Sequence, residues 1–123
     1  MKTPILGLRT VIYKVSDLGQ AKEWYTNVFQ TQPYFDETFY VGFNVGGYEL
    51  GLQPEEVVHG ENVAVFWGVE DINKEYKRFL EQDATAIEKP MNVGGEVMVA
   101  TVKDPWNNLI GLIYNPEFSL KQV

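Results

Sequence analysis

The sequence predicts an α+β fold in which two βαβββ modules follow each other along the chain. The segments VSDLGQAKEWY and VEDINKEYKRF begin at Val15 and Val69, and both show V-x-D-[LI] followed by helical periodicity. The segments YELGLQP and LIGLIYNP begin at Tyr48 and Leu109, and they share a Gly-Leu pair in the same order. Two such echoes in one order indicate an internal duplication.

The first module opens with a strand at residues 8–15. Its alternation places Val11, Tyr13 and Val15 on one face and Thr10, Ile12 and Lys14 on the other. Asp17 is placed to cap a helix, because its carboxylate can accept hydrogen bonds from the unpaired amides of the first turn. The apolar stripe of this helix contains Leu18, Ala21, Tyr25, Val28 and Phe29. Strands are predicted next at residues 33–35, 39–45 and 48–53, with Gly46 and Gly47 forming the tight turn between the last two.

The second module repeats this order after a polar connection at residues 53–62. Its opening strand is Val63–Val69, and Asp71 caps a helix with the stripe Ile72, Tyr76, Phe79 and Leu80. Strands follow at residues 85–87, at Val97–Lys103 and at Leu109–Tyr114, separated by breaks at Pro90, Gly94-Gly95 and Asp104-Pro105. The pattern places Trp24 and Trp67 in the core. We therefore expect one domain over residues 1–123, with modules at about 5–54 and 62–116.

Composition excludes several classes of function. The chain has no cysteine, which removes disulfides, thiolate metal sites and cysteine nucleophiles. The formal net charge of −7 and the pI of about 4.6 argue against nucleic acid and anionic membranes as partners. No apolar run approaches the ~20 residues of a membrane span, and MKTPILGLRT does not read as a signal peptide. We therefore expect a cytoplasmic protein.

The segments VSDLGQAKEWYTNVF, VEDI and DPWNNLI resemble the vicinal oxygen chelate superfamily of glyoxalase I, bleomycin-resistance proteins and extradiol dioxygenases. The last segment is similar to the family's DP-x-G-N-x-x-E, and the resemblance covers about residues 8–116. It implies paired βαβββ modules whose mostly antiparallel eight-stranded sheet curves into a cup that holds the ligand. It also implies a homodimer.

The resemblance assigns four metal-ligand positions to residues that do not suit a metal. They are Thr10, Gly51, Ala64 and Gly111, none of which offers the carboxylate or imidazole that a divalent cation needs. The expectation is therefore no metal and no other cofactor. Gly51 and Gly111 are interpreted either as a cup wall that leaves room for a ligand, or as glycines that permit sheet curvature or a bulge.

The strand alternation predicts a mostly apolar wall with a few polar groups, as in small-molecule pockets. Its members are Thr10, Ile12, Lys14, Glu49, Gly51, Gln53, Ala64, Phe66, Gly68, Leu109, Gly111 and Ile113. Glu49 is a candidate for binding a cation or acting as a general base; the alternative is an ion pair with Lys14 or a solvated sheet edge. Phe66 either stacks on a ligand or packs in the core.

Two further residues stand outside this wall. Trp106, in the DPWNN turn, either covers the cup mouth, joins a dimer contact or packs over the turn. His59 lies among Glu55, Glu56 and Glu61. These residues either form a metal site of one histidine and carboxylates or, because their spacing matches no known ligand motif, lie solvated in a loop.

These observations favour a metal-free protein that binds or sequesters an aromatic or cationic compound, similar to the bleomycin-resistance proteins. One alternative is a glyoxalase-like lyase or dioxygenase-like oxidoreductase with a divalent metal at non-standard ligands. Another is a metal-independent enzyme with Glu49 as base, and a third is an interaction module with a vestigial cup. The sequence does not identify the ligand.

Overall fold

The structure, a computed structural model, describes residues 3–56, 63–106 and 108–118. These residues form two helices and eight mostly antiparallel strands, in the predicted order β-α-β-β-β repeated twice. In chain order the elements are β1 (Ile5–Val15), α1 (Leu18–Phe29), β2 (Phe35–Glu37), β3 (Tyr40–Val45), β4 (Tyr48–Pro54), β5 (Val63–Val69), α2 (Ile72–Glu81), β6 (Thr85–Gly94), β7 (Val97–Lys103) and β8 (Leu109–Tyr114). The predicted α+β fold class is confirmed.

The described chain divides into two compact units. The first unit contains residues 10–56 and 63–64, and the second contains residues 3–9, 65–106 and 108–118. Residues 5–9, predicted for the first module, belong to the second unit because Ile5 packs against the apolar cluster around Val69 and Leu112. Neither helix of the described residues is long and apolar enough to cross a membrane.

In the first unit, α1 covers one face of four strands in the order β2-β3-β4-β1. The strands β1 and β4 are parallel, and the other neighbours are antiparallel. The Asp17 carboxylate accepts a hydrogen bond from the Gln20 amide at 3.0 Å, which starts α1 as predicted. The core contains Val41, Phe43, Leu50 and Leu52, with Tyr13, Val15, Leu18, Ala21 and Tyr25 packed against them. The residues between these in the strands therefore lie on the face opposite α1.

The second unit repeats this arrangement with α2 and the strand order β5-β8-β7-β6. Asp71 caps α2 by accepting a hydrogen bond from the Lys74 amide at 3.1 Å. The core contains Val69, Ile72, Ala100 and Leu112, with partly buried Tyr76, Phe79, Met98, Ile110 and Tyr114 around them. Phe66, Thr101, Gly111 and Ile113 lie on the opposite face, because side chains alternate along each strand.

The prediction for β6 was wrong in length. We expected residues 85–87 followed by a break at Pro90, whereas β6 runs from Thr85 to Gly94. β6 is at the end of its four strands and pairs only with β7 among the described strands, so the missing N–H of Pro90 costs no ladder hydrogen bond on its outer side. The register also shifts between Glu88 and Met91, which accommodates the proline.

The prediction that Trp24 and Trp67 belong to the core was also wrong, since they are 56% and 39% exposed. α1 packs on the strands through Ala21 and Tyr25. Trp24 precedes Tyr25 by one residue and is therefore turned about 100° around the helix axis. The sequence pattern therefore identified the helix and the strand that carry these residues, but it did not predict how exposed the two indole groups are.

Candidate functional site

Glu49 is the centre of a hydrogen-bonded cluster on the face of the first unit opposite α1. It lies on β4, directly across from Thr10 on β1 and Asn44 on β3. Its Oε1 accepts hydrogen bonds from the Thr10 hydroxyl at 3.2 Å and from the Tyr40 hydroxyl at 2.9 Å. Its Oε2 accepts a hydrogen bond from the Tyr34 hydroxyl. Three hydroxyl donors from three different segments therefore fix one carboxylate.

The local backbone explains how Tyr34 and Tyr40 reach Glu49. The Tyr34 amide donates to the Gly42 carbonyl at 2.9 Å, which holds Tyr34 beside β3 although it precedes β2. A Cβ on Gly42 would lie 2.9 Å from Glu49 Oε2 and 3.2 Å from the Tyr34 ring. The absence of a side chain at Gly42 therefore gives the carboxylate and the ring the space they occupy.

The solvent exposure of the cluster residues increases from Thr10 to Tyr34. Thr10 is 5% exposed, Glu49 and Tyr40 are half-buried, and Tyr34 is 64% exposed. Burial of the phenol groups, together with the charge and hydrogen bonding of Glu49, raises the pKa of Tyr34 and of Tyr40 well above the usual value. Both tyrosines therefore stay protonated at neutral pH and act as hydrogen-bond donors to the carboxylate.

Tyr40 also occupies the space above Gly51. A Cβ on Gly51 would lie 2.5 Å from Tyr40 Cζ and closer still to its hydroxyl oxygen. From the sequence we expect Gly51 either to leave room for a ligand or to permit sheet curvature or a bulge. The structure shows a different reason for the glycine, which is that the phenol of the neighbouring strand packs on its backbone.

The second unit shows the same relation at Gly111. Phe66 and Gly111 are register partners on β5 and β8, and a Cβ on Gly111 would lie 2.5 Å from Phe66 Cδ2. Phe66 is 8% exposed, so the phenyl ring is buried over the glycine. The room expected above Gly111 is therefore also filled by a side chain of the protein.

The four family ligand positions do not fit a divalent cation. The Thr10 hydroxyl donates a hydrogen bond to Glu49, and Ala64 is a buried residue without a polar side chain. Gly51 and Gly111 lie under aromatic rings. Within residues 3–56, 63–106 and 108–118, no group of three or more His, Asp or Glu side chains is arranged to hold a metal ion.

The other predicted site residues divide between the two units. Ile12 and Gln53 lie on β1 and β4, on the same face as Glu49. Ile113 lies two residues beyond Gly111 on β8 and is buried. Lys14 forms an ion pair with Glu55 at 3.9 Å, and not with Glu49, the partner considered from the sequence.

Two other predicted features lie elsewhere. His59 and Glu61 lie outside the described residues, so the loop around them stays a prediction. Trp106 is 80% exposed in the turn between β7 and β8. The Asp104 carboxylate accepts hydrogen bonds from the Trp106 amide at 2.9 Å and from the Asn108 amide at 2.8 Å. Hydrogen bonds from the backbone and side chain of Asn108 lower the pKa of Asp104, and the clamped turn presents the indole to solvent.

The opposite face of the second unit has a polar pair that the sequence analysis missed. The buried Thr101 hydroxyl donates to Glu88 Oε1 at 2.9 Å. Arg9 lies against Gly68, where a Cβ would be 2.6 Å from its Nε, and its guanidinium group lies 4.0 Å from the centre of the Phe118 ring. Gly68, assigned to the cup wall, thus accommodates the arginine.

A family model for the Glyoxalase/Bleomycin resistance protein/Dioxygenase superfamily matches residues 7–112. The chain belongs to this superfamily. The match includes the opening strands and both helices, and it confirms the resemblance to vicinal oxygen chelate proteins. No curated protein is similar to the chain at a significant level.

The chain is similar in fold to several solved structures, whose names describe different activities or none. Methylmalonyl-CoA epimerase from Mycobacterium tuberculosis is 17% identical, with coverage of 93% of this chain and 91% of that chain and a TM-score of 0.77. A hypothetical protein from Bacillus halodurans C-125 is 14% identical, with 91% and 96% coverage and a TM-score of 0.75. An NAD-dependent benzaldehyde dehydrogenase from Legionella pneumophila is 17% identical, with 85% and 96% coverage and a TM-score of 0.69. At these identities the likeness establishes the fold alone.

Sequence reasoning identified Glu49 and Thr10 but missed Tyr34 and Tyr40. The alternation of YVGFNV places Tyr40 and Gly42 opposite the core residues Val41 and Phe43, so a signal for Tyr40 was present. The sequence predicts a strand at residues 33–35, but β2 begins at Phe35, so Tyr34 lies outside the strands and their alternation does not place its side chain.

Proposed function

We propose that this superfamily member is a metal-independent protein that binds a small aromatic or cationic molecule on the Glu49 face of its first unit. The observation that carries the proposal is the Glu49 carboxylate, oriented by Thr10, Tyr34 and Tyr40 beside an exposed phenol ring. An oriented charge next to an aromatic surface is a recognition element for organic cations. The formal net charge of −7 attracts the same class of ligand.

Metal independence is supported by the chemistry of the family ligand positions. Thr10, Gly51, Ala64 and Gly111 offer no carboxylate or imidazole, and Tyr40 and Phe66 fill the volume above the two glycines. Polarisation of vicinal oxygens by a cation at these positions therefore has no donor set.

Binding is better supported than proton abstraction by Glu49. A general base needs a free lone pair directed at the proton that it removes. Three hydroxyl donors from the described residues engage the Glu49 oxygens and leave a single acceptor position, on Oε2, which a ligand donor can use without any proton transfer. A catalytic role for Glu49 in a metal-independent enzyme remains the second candidate, favoured by its half-buried position beside an exposed tyrosine.

In this proposal the protein works by sequestration in the cytoplasm, as the bleomycin-resistance part of the superfamily name suggests. Affinity then replaces catalysis, and the biological consequence is tolerance of a toxic cationic compound such as an antibiotic. The ligand classes to test first are cationic aromatic antibiotics, with dicarbonyl adducts and catechols as representatives of the enzymatic alternatives.

A thermal-shift panel with these three classes, in the presence of excess EDTA, tests the proposal. We expect at least one cationic aromatic compound to raise the Tm of the protein despite the chelator, since ligand binding stabilises the folded state. The same compound is expected to stabilise Glu49→Gln less, because a charge-assisted hydrogen bond is lost. A stabilising effect that EDTA abolishes, or turnover of a dicarbonyl adduct or a catechol, would contradict the proposal.

Glu23→Gln is the matched control for this panel. Glu23 lies exposed on α1 and its loss removes the same single negative charge as Glu49→Gln. We expect it to retain the wild-type response. An equal loss in both variants would mean that net charge, and not the Glu49 cluster, determines binding.

A further inference from the structure

Among the described residues, the hydrogen bonds to Glu49 leave one acceptor position of its carboxylate open. An ionised carboxylate has about four acceptor positions on its two oxygens. Thr10 and Tyr40 both donate to Oε1, whereas Tyr34 is the donor to Oε2 among the described residues. The remaining position is therefore on Oε2, and the group that fills it must be a donor.

The charge of Glu49 is not matched by its partners. Thr10, Tyr34 and Tyr40 are neutral donors, so the cluster keeps a full negative charge. The ion pairs among the described residues join Lys14 to Glu55, Lys22 to Asp36 and Arg78 to Glu75, and none includes Glu49. A half-buried carboxylate is stabilised most by a donor that also carries positive charge.

The surroundings of Oε2 decide the kind of cation. Calcium requires six to eight oxygen ligands and magnesium near-octahedral coordination, whereas this cluster offers one carboxylate whose neighbours direct hydroxyl hydrogens toward it. Tyr34 is 64% exposed and lies on the Oε2 side of the cluster. An organic cation next to its ring gains cation–π attraction together with the hydrogen bond to Oε2.

The backbone of Gly42 lies beside Glu49 Oε2. A Cβ there would lie 2.9 Å from Oε2 and 3.2 Å from Tyr34 Cε1, so any side chain would compete for the space beside the carboxylate. The bare backbone at Gly42 keeps both the oxygen and the ring in place.

We propose that the Glu49 site recognises a protonated primary amine, whose N–H group donates to Oε2 while its adjoining carbon chain or ring lies against Tyr34. This assignment rests on the proposed function and narrows its ligand from an aromatic or cationic compound to an ammonium compound with an N–H donor. Quaternary ammonium ions and neutral alcohols of the same shape are poor ligands, since the first lacks the donor and the second lacks the charge.

Three small probes separate these contributions: benzylamine, benzyltrimethylammonium and benzyl alcohol. Binding is followed through the ring signals of Tyr34 and Tyr40 in protein carrying ¹³C-labelled tyrosine, with Tyr34→Phe and Tyr40→Phe used for assignment. A probe of this size binds with a Kd on the order of 1 mM, so titration extends to about ten times that concentration. We expect benzylamine to shift the Tyr34 signals and to bind at least about tenfold more tightly than the other two probes.

The variants complete the test. Glu49→Gln is expected to lose at least about tenfold in benzylamine affinity, whereas Glu23→Gln keeps it. Benzyl alcohol or benzyltrimethylammonium binding as tightly as benzylamine would overturn the assignment, as would an unchanged affinity in Glu49→Gln or no response of the tyrosine signals.

The outcome is distinguishable from failure of the proposed function. A panel compound that stabilises the wild type and Glu49→Gln equally supports small-molecule binding but overturns the ammonium assignment. A benzylamine response that depends on Glu49, combined with turnover of a panel compound, supports the ammonium site and overturns the sequestration role.

Discussion

At the scale of single residues, the Glu49 cluster shows how one carboxylate organises its neighbours. Thr10 holds it from the buried side, and Tyr34 and Tyr40 hold it from the more exposed side. The two phenols are neutral donors because burial, and then the charge and hydrogen bonding of Glu49, raise the pKa of both tyrosines. Under the proposed function, the same few hydroxyl groups contribute both to stability and to ligand recognition.

The raised tyrosine pKa values predict the behaviour of the protein in alkali. In the unfolded chain these tyrosines ionise near pH 10, whereas the folded state keeps them protonated to higher pH. Their stabilising effect is thus fully present below about pH 10 and is lost as the pH rises through the folded-state pKa. We therefore expect the free energy of unfolding to fall as the pH rises above about 10. Tyrosinate absorbance should rise together with unfolding.

The variants of Glu49 and Glu23 test the cause of this alkaline sensitivity. Without the carboxylate, Tyr34 and Tyr40 lose the partner that opposes their ionisation, so Glu49→Gln is expected to form tyrosinate at lower pH than the wild type. Glu23→Gln should titrate like the wild type. Identical tyrosinate curves for all three proteins would show that Glu49 does not control the phenols.

At the scale of elements, the sequence predicted strand identity well and strand interruption poorly. The bounds of β5, β7 and β8 match the prediction, because the apolar alternation and the flanking turn residues agree there. β6 was predicted too short because Pro90 was interpreted as a stop, although an end strand tolerates it.

The candidate site was predicted only in part for a related reason. Strand alternation places Thr10 and Glu49 on one face, and their register confirms it. The alternation does not predict which side chains extend across a neighbouring strand. The packing of Tyr40 on Gly51 and of Phe66 on Gly111 was therefore not predicted. Such contacts depend on side-chain conformations that a pattern does not contain.

The contact between Tyr40 on β3 and Gly51 on β4 predicts the effect of adding one methyl group at Gly51. A Cβ would lie 2.5 Å from Tyr40 Cζ, so Gly51→Ala must displace the phenol and its hydrogen bond to Glu49. We expect Gly51→Ala to lower the free energy of unfolding by roughly 1–3 kcal/mol, measured by urea denaturation.

Two comparisons identify the steric origin of this loss. Gly19→Ala in α1 is the control, because its Cβ would meet Asp17 Oδ1 at an ordinary 3.6 Å. In a Tyr40→Ala background, Gly51→Ala should cost much less, since the clash is absent. An undiminished cost there would assign the effect to the backbone of β4.

At the scale of the whole molecule, the chain is a member of a superfamily, and its elements follow the order βαβββ twice. The first unit carries the carboxylate cluster, and the second carries the Phe66–Gly111 contact and the Thr101–Glu88 hydrogen bond. The element order is therefore the same in the two units, whereas the chemistry of the face opposite each helix differs between them.

The homodimer implied by the family resemblance stays a prediction at this scale. Light scattering coupled to size-exclusion chromatography should give twice the chain mass of 14.1 kDa. Exposed apolar side chains such as Trp24, Phe39 and Trp106 are available for an interface. A monomer mass across a wide range of protein concentration would contradict the prediction.

The proline in β6 has a consequence for how copies of this chain meet. An end strand with free N–H and C=O groups invites a strand from another molecule, which leads to open-ended aggregation. Pro90 removes one donor, the register shifts bend the strand, and at the end of the first unit β2 is only three residues long. The strands β2 and β6 are therefore poor templates for continued hydrogen bonding, which disfavours fibre assembly through either of them.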